Sequence, residues 1–278
     1  APPSLVTLAE AQEASTFRLL RAFRQEFGLT TMEVSRRLRM RRAAMQLAFR
    51  HGQPIAAIAL SSGYESHEAF TRAFQRILGC SPTVFRRQPD WTAFHRALDI
   101  PELPGRVSDG TGDPSTRLHT PSWTGMVSIV SLPITRTLAL VHAPRHGGAP
   151  FEESLRAFIA WRRGRGGLSP RTHATWNVVF PPENDEGEPT RAIAVATSAR
   201  LRTSDRAARI DTLIIGGGHY VRLRLEGPNS LLEPAIGFLL ETWCPAHAVR
   251  PRSAPLLLRR VRLFPDVPEH LAVTDIHL

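Results

Sequence analysis

Lysine is absent from this chain: all 35 of its basic residues are arginine. The guanidinium is a planar fork suited to phosphate and guanine, so the usage fits a nucleic-acid partner, and it equally fits a GC-rich genome that writes Arg for Lys. Cysteine is nearly absent too. Cys80 and Cys244 stand far apart in no metal-ligand spacing, which argues against a disulfide scaffold and suits a reducing compartment. No apolar run approaches the length of a membrane span. APPSLVTLAEAQ lacks the charged and apolar regions of a secretion signal, so the expected location is cytoplasmic, with no membrane partner.

The 278 residues are 42% hydrophobic and carry a formal net charge of +10. That is enough apolar material for one large domain or two ordinary ones. The first 90 residues hold 13 Arg against 7 acids, and the remaining 188 hold 22 against 18. The excess is therefore densest at the N-terminal end, which points to a polyanion partner there.

Residues 5–87 read as short helices. Phe17, Leu20, Phe23 and Phe27 recur at three- and four-residue steps, as do Phe70, Phe74, Ile77 and Leu78, each set making one apolar face. Ser15 and Ser66 stand at N-cap positions, and Gly28 and Gly79 stand where each helix should stop. An Arg-rich helix is expected over about 32–49. Residues 88–124 are rich in Pro, Gly, Ser and Thr and read as a linker, placed at 89–124. From 125 onward, eight strand candidates and the helices 151–163 and 231–243 occur in the order ββαββ, twice. LALVHAP (138–144) and RLRLEGP (222–228) are each followed by a helix ending in Trp, a faint internal repeat. The expected fold is multidomain: an all-α domain over 1–88, then an α+β domain of duplicated ββαββ units over 125–278.

IAAIALSSGYESHEAFTRAF (55–74) is a short helix, a tight turn at Gly63 and a helix capped by Ser66, which is the helix-turn-helix plan. The second helix of such a pair lies in the major groove of duplex DNA. Phe70 and Phe74 face inward, so His67, Glu68, Thr71 and Arg72 are expected to reach bases, with Arg76 on phosphate. LAEAQEASTFRLLRAF (8–23) repeats the plan. Ser15 and Thr16 open its second helix, and Arg18, Arg21 and Arg24 project from it. The helix between the two spans roughly 27 Å, near the ~34 Å between major-groove faces one turn apart.

PIAAIALSSGYESHEAFTRAFQRILGCSPTVFRR resembles the DNA-binding domain of AraC-type transcription regulators, and the likeness extends over residues 8–87. The resemblance implies two recognition helices, over 15–26 and 66–78. Two positions depart from it: only APPSLVT precedes Leu8, and Glu13 stands where the family has Gly. The remainder resembles the gyrase-inhibitor-like (GyrI-like) effector-binding fold, through MVSIVSLPITRTLALVHAP, GGGHYVRLRLEGP and PDVPEHLAVTDIHL. That resemblance implies a groove lined by aromatics, and regulators that respond to a small-molecule effector or recruit RNA polymerase. Several such domains hold cations with a buried Glu in the penultimate strand. Here the strand reads LLLRRVRLF, with Arg259 and Arg260 in its place, which favours an anionic ligand or none.

Trp161, Trp176, Tyr220, Phe238 and Trp243, with Arg260, are the candidate ligand-binding residues. Core packing is the alternative for each aromatic. GGGHY (216–220) lacks the order and the Lys-Ser/Thr ending of a phosphate loop and reads as a turn. His142 with His146, or His173 with Glu183, make no recognised metal motif, and no G-x-S-x-G elbow occurs. No metal, cofactor or catalytic residue is expected. An enzymatic C-terminal domain or a pure protein-interaction module remains the alternative.

Overall fold

The computed structural model describes residues 15–99, 123–142, 150–165, 168–170, 172–181, 189–197, 205–252 and 254–278, apart from the side chains of 26 and 27. The expected helix over 8–14, residues 100–122, His146 and Glu183 lie outside them. The chain divides into two compact units, Ala1–Thr120 and Pro121–Leu278.

In the first unit, helix α1 (Thr16–Phe27) starts where the Ser15 Oγ accepts from the Arg18 N–H at 3.3 Å, and stops at Gly28 in the left-handed region. A reciprocal capping box between Thr30 and Glu33 opens α2 (Thr31–Phe49). Helix α3 (Ile55–Ser61) leads through Gly63, at φ 79°, into α4 (His67–Leu78). The positive φ at Gly63 suits glycine, and a Cβ there would only push aside the end of the Arg39 side chain, whose Nη1 would lie 2.7 Å away. The Ser66 Oγ accepts from the Ala69 N–H at 3.1 Å, and Gly79 closes the helix. Helix α5 (Pro82–Arg87) follows a Ser81 cap.

Residues 91–98 correct the expected linker: they form a sixth helix, α6 (Trp91–Leu98), capped by Asp90. Trp91, Phe94 and Leu98 fall at i, i+3 and i+7, one helical face, and all three are buried. Trp91 stacks on Phe49 with centroids 5.8 Å apart and meets Phe85 edge-on at 6.1 Å. The rings continue through Phe85–Phe74, Phe74–Phe70 and Phe70–Tyr64 at 5.5, 5.5 and 5.3 Å. One aromatic chain thus runs from α6 to the turn before α4, in the offset and edge-on geometries that ring quadrupoles favour. By contrast, Phe17 is 73% exposed and Leu20 37%, so the apolar stripe of α1 has little cover among the described residues.

The second unit begins earlier than the expected linker end. Trp123, in a 3₁₀ turn over Trp123–Met126, is already part of its core. Strands β1 (Val127–Leu132) and β2 (Thr135–His142), helix α7 (Phe151–Gly164), and strands β3 (Thr175–Val179) and β4 (Arg191–Ala196) make one half. Strands β5 (Ile210–Ile215) and β6 (Gly218–Glu226), helix α8 (Leu232–Gly237), and strands β7 (Leu256–Arg262) and β8 (Val273–His277) make the other. Helix α8 continues as a π-helical turn over Phe238–Trp243 into Cys244–Ala246. Pro245, which has no N–H for the carbonyl four residues back, sits just beyond the widened turn.

The strands form one antiparallel sheet in the order β1-β6-β8-β7-β3-β4-β2-β5. Exchanging the halves reverses that order onto itself. Each half gives its first strand to the other: β1 pairs with β6, and β5 with β2. Strand alternation then sorts the side chains into two faces. Helix α7 covers Leu138, Leu140, Ile193 and Val195, while α8 covers Leu223, Leu225, Leu258 and Ile276. Buried Arg162 of α7 fastens that layer, donating to the Leu168 and His173 carbonyls and the Thr175 Oγ1. Burial lowers its pKa to about 10.

The opposite face carries Ala139, Trp176, Val178, Ala192, Ala194 and Leu257, and no described helix packs on it. It is concave. Pro133-Ile134 and Gly216-Gly217 are the only residues joining β1 to β2 and β5 to β6. Such a link spans at most about 11 Å, so the two ends of the sheet are drawn together. Tyr220 and Leu132 from one end meet Leu213 and Ile215 from the other. A Cβ on Gly217 would lie 2.9 Å from the Ile134 backbone N, so only glycine lets the two links touch.

Candidate functional site

Helix α4 buries Phe70, Ala73, Phe74 and Leu78 and exposes His67, Glu68, Arg72, Gln75 and Arg76. Thr71 departs from expectation. It shares a flank with Phe74 and Leu78 at i+3 and i+7, is half-buried, and its Oγ1 is enclosed without a hydrogen-bond partner. Hydrogen bonds to its own backbone N–H and to the Ser66 hydroxyl hold the Glu68 carboxyl below its ordinary range, with His67 and Arg72 adding attraction. The group serves the helix start, where the macrodipole favours an anion, so a free reach to a base is not its resting state. Arg72 and Arg76, at i and i+4, are the groups left on one exposed face; His67 is exposed at the helix start but stands in line with Phe70 and Phe74, at i, i+3 and i+7. On α1, Ser15, Thr16, Arg18, Arg21 and Arg24 are all exposed.

Several other arginines of this unit are structural. Arg37 donates to the Asp99 carbonyl at 3.1 Å, and Arg86 to the Gln53 carbonyl at 2.7 Å. Both tie loops and helix ends together. Neither was separable from a DNA-facing arginine by sequence position.

In the second unit the six expected ligand residues part company. Trp176 and Tyr220 lie on the concave face. Trp161 is on α7, where its Nε1–H donates to Asp205 Oδ2 at 3.2 Å and Arg165 lies 5.5 Å over its ring. Phe238 packs edge-on against Trp123 at 5.6 Å, and Trp243 is buried in the same core, stacked on His247. Arg260 points to the helix side, donating to Asn177, Asn229 and Thr274 at 2.7, 2.7 and 3.0 Å, with its pKa lowered to about 10 by burial. These four positions belong to the covered face, because helix residues that follow a strand pack on the sheet and Arg260 has the opposite strand parity to Arg259.

Sequence reasoning missed Arg222, Arg224, Asp275 and His277. Period-two alternation along VRLRLE and VTDIH held the signal, but it needed a known face. One row across the sheet reads Arg224, Asp275, Arg259, Trp176, Ala194, Ala139; the next reads Ser128, Arg222, His277, Leu257, Val178, Ala192. Arg224 meets buried Asp275 at two points, 2.7 and 2.9 Å. Arg259 lies 5.9 Å over Trp176. Glu226 is 3.6 Å from Arg262. Burial pushes the His277 imidazole below its ordinary 6.5; Asp275 and a hydrogen bond to the Leu257 backbone oppose this, and Arg222 and Arg259 reinforce it. An open depression of about 290 Å³, lined by Gly125, Met126, Val127, Ser128, Arg222, Arg224 and Glu226, leads onto this face.

His142 Nδ1 is 2.9 Å from the Ser154 Oγ, and His173 Nδ1 is 2.9 Å from the Thr172 Oγ1. Among the described residues no group of three or more His, Cys, Asp or Glu is placed to hold a metal, and no helix is long and apolar enough to cross a membrane.

Comparison with known proteins agrees with both units. Residues 8–88 match the family model of a helix-turn-helix domain, and residues 126–278 match that of a GyrI-like small molecule binding domain. The Right origin-binding protein of Escherichia coli (strain K12) is 33% identical over 93 residues, 34% of this chain and 32% of that protein. The RCS-specific HTH-type transcriptional activator RclR of the same strain is 38% identical over 85 residues, 31% of this chain and 28% of that protein. The chain thus covers about a third of the length of the curated relatives it matches. Among solved structures, the EcmrR C-terminal domain aligns over 55% of this chain and 94% of its own, at 13% identity and a TM-score of 0.44.

Proposed function

The chain belongs to the GyrI-like small molecule binding family through residues 126–278, and from that premise we propose that it is a DNA-binding transcription regulator of AraC type whose second unit senses an effector. The observation that carries the reading is the α3–turn–α4 pair, with Arg72 and Arg76 exposed opposite a fully buried Phe70 and Phe74. An exposed basic face on the second helix of such a pair is the geometry that enters a major groove. The transcriptional activator RclR is matched over 85 residues, about the length of the helix-turn-helix family match over residues 8–88.

In this reading α1 and α4 enter successive major grooves, held apart by α2. Its 19 residues span roughly 28 Å. The basic charge draws the unit to the duplex, and Arg72 with its neighbours reads bases. An effector on the concave face alters output by binding the active and inactive states unequally. RNA polymerase is the partner of an activating form, and the site of action is the cytoplasm. The protein is a sensor and reader, not an enzyme: Asp275, the most buried carboxylate of the concave face, is engaged by Arg224.

In-vitro site selection from random duplex DNA, at fixed near-physiological salt, tests the reading. Two short motifs about one helical turn apart are expected. Recovery of no sequence above salt-sensitive background would reject it.

A further inference from the structure

Four side-chain atoms of the second unit are buried with no hydrogen-bond partner among the described residues: Ser128 Oγ, Arg222 Nε, Trp176 Nε1 and His277 Nδ1. All four belong to the concave face. Ser128, Arg222 and His277 are successive cross-strand neighbours in one row, and Trp176 stands in the next row, its ring 5.6 Å from that of His277. Scattered orphans would be packing noise. A contiguous set is not, because each unmade hydrogen bond of a buried group is costly and native folds leave few.

The chemistry of three of the four is one-sided, while the His277 Nδ1 takes either role with its tautomer. The Arg Nε–H and the indole N–H can only donate, and the hydroxyl can donate as well. What completes them must accept. Charge says the same. Asp275 and Glu226 are already matched by Arg224 and Arg262, while Arg222 and Arg259 have no ion pair among the described residues. Asp211, the remaining acid on this face, is exposed on the far edge strand. The depression at the β1–β6 edge opens Ser128 and Arg222 to entry from solvent. Trp176 and His277 are 5% and 2% exposed behind it.

The two pseudo-equivalent halves differ along this face. The first half presents Ala139, Ala192 and Ala194 on β2 and β4; the second presents Arg222, Arg224, Asp275 and His277 on β6 and β8. The face is therefore apolar on one side of Trp176 and cationic on the other.

We propose that the concave face takes an amphiphilic organic carboxylate, its carboxylate held by Arg222 and Ser128 with Arg259 alongside, and its apolar body directed from the depression toward Trp176. This rests on the effector reading of the second unit and gives that effector a sign and a shape.

Isothermal titration of the full chain tests it with three probes: 2-naphthoate, its uncharged amide 2-naphthamide, and the lipophilic cation tetraphenylphosphonium. Saturable binding of naphthoate is expected, with the amide and the cation at least tenfold weaker. Arg222→Gln and Arg259→Gln should each weaken naphthoate about tenfold and leave the amide unchanged. Equal binding of naphthoate and naphthamide by the unaltered protein overturns the proposal whatever the variants do, and so does preference for the cation or absence of naphthoate binding at millimolar concentration. Naphthoate binding that leaves DNA affinity and transcription unmoved would sustain the anion site and sink the effector reading. DNA binding switched by the cation alone would do the reverse.

Discussion

Arg224 and Asp275 face each other across β6 and β8, the guanidinium closing on both carboxylate oxygens at 2.7 and 2.9 Å. The carboxylate side chain is 2% exposed and the arginine 47%. Asp275 is therefore a buried charge whose counter-charge reaches it from the surface. Removing the arginine leaves the acid unpaired. Arg224→Ala is expected to lower the unfolding free energy of the second unit by an amount near the bottom of the ~3–5 kcal/mol range for broken buried pairs. Urea denaturation followed by tryptophan fluorescence measures it. An unchanged midpoint would mean that Arg259, the next residue in the row, takes over the carboxylate.

Trp91→Ala tests whether α6 belongs to the DNA-binding unit. The indole bridges Phe49 and Phe85 at the centre of the aromatic chain. Its truncation is expected to cost about 3–5 kcal/mol, and to weaken binding to a selected duplex although the residue is remote from α4's exposed face. Thermal unfolding and fluorescence anisotropy provide the two readings. Full stability without this ring would return residues 91–98 to the linker.

Arg72→Ala should weaken binding to the selected site and relax preference at one or two base pairs, by about 1–3 kcal/mol of discrimination. Arg76→Ala should weaken all sequences alike and flatten the salt dependence, as loss of a phosphate contact does. Anisotropy titrations against the site and single-base variants separate the two. Unaltered affinity and specificity for Arg72→Ala would mean that α4 does not read bases.

His277 makes the second unit sensitive to acid. Burial holds its folded pKa below the ordinary 6.5, so the unfolded chain takes up the proton first. Its contribution is fully present above pH 6.5 and is lost as pH falls below that value toward the depressed folded pKa. Asp275, Arg222, Arg259 and Tyr220 face the ring, and of these Asp275 opposes the shift. His277→Phe is expected to flatten the fall in melting temperature between about pH 7 and 5. An unaltered slope would assign the acid sensitivity to other groups.

The sequence carried the element order well, because its signals are local. Ser15 and Ser66 cap, Gly28 and Gly79 take positive φ, and the eight strands fall where expected. It failed where the answer depends on a partner distant in sequence. Helix α6 is short, and its three apolar positions gain meaning only beside Phe49 and Phe85. Trp161, Phe238 and Trp243 looked like groove aromatics because residue type says nothing of which face of a sheet a helix covers. Arg259 and Arg260 are adjacent in sequence and opposite in role, a distinction that rests on register with β3. The row Ser128–Arg222–His277 joins residues up to 149 positions apart and has no local trace at all.

The exchange of first strands between the halves has a genetic consequence. Without β6, β1 has no partner; without β2, neither has β5. A message truncated after residue 197 would thus yield a product with no closed version of its sheet to fall back on, exposing several unpaired strand edges at once. The duplication is internal, yet neither copy is a spare. In a population, frameshifts and stop codons between the codons of residues 197 and 272 should behave as complete loss of the sensing unit, and the two copies should complement only when expressed together.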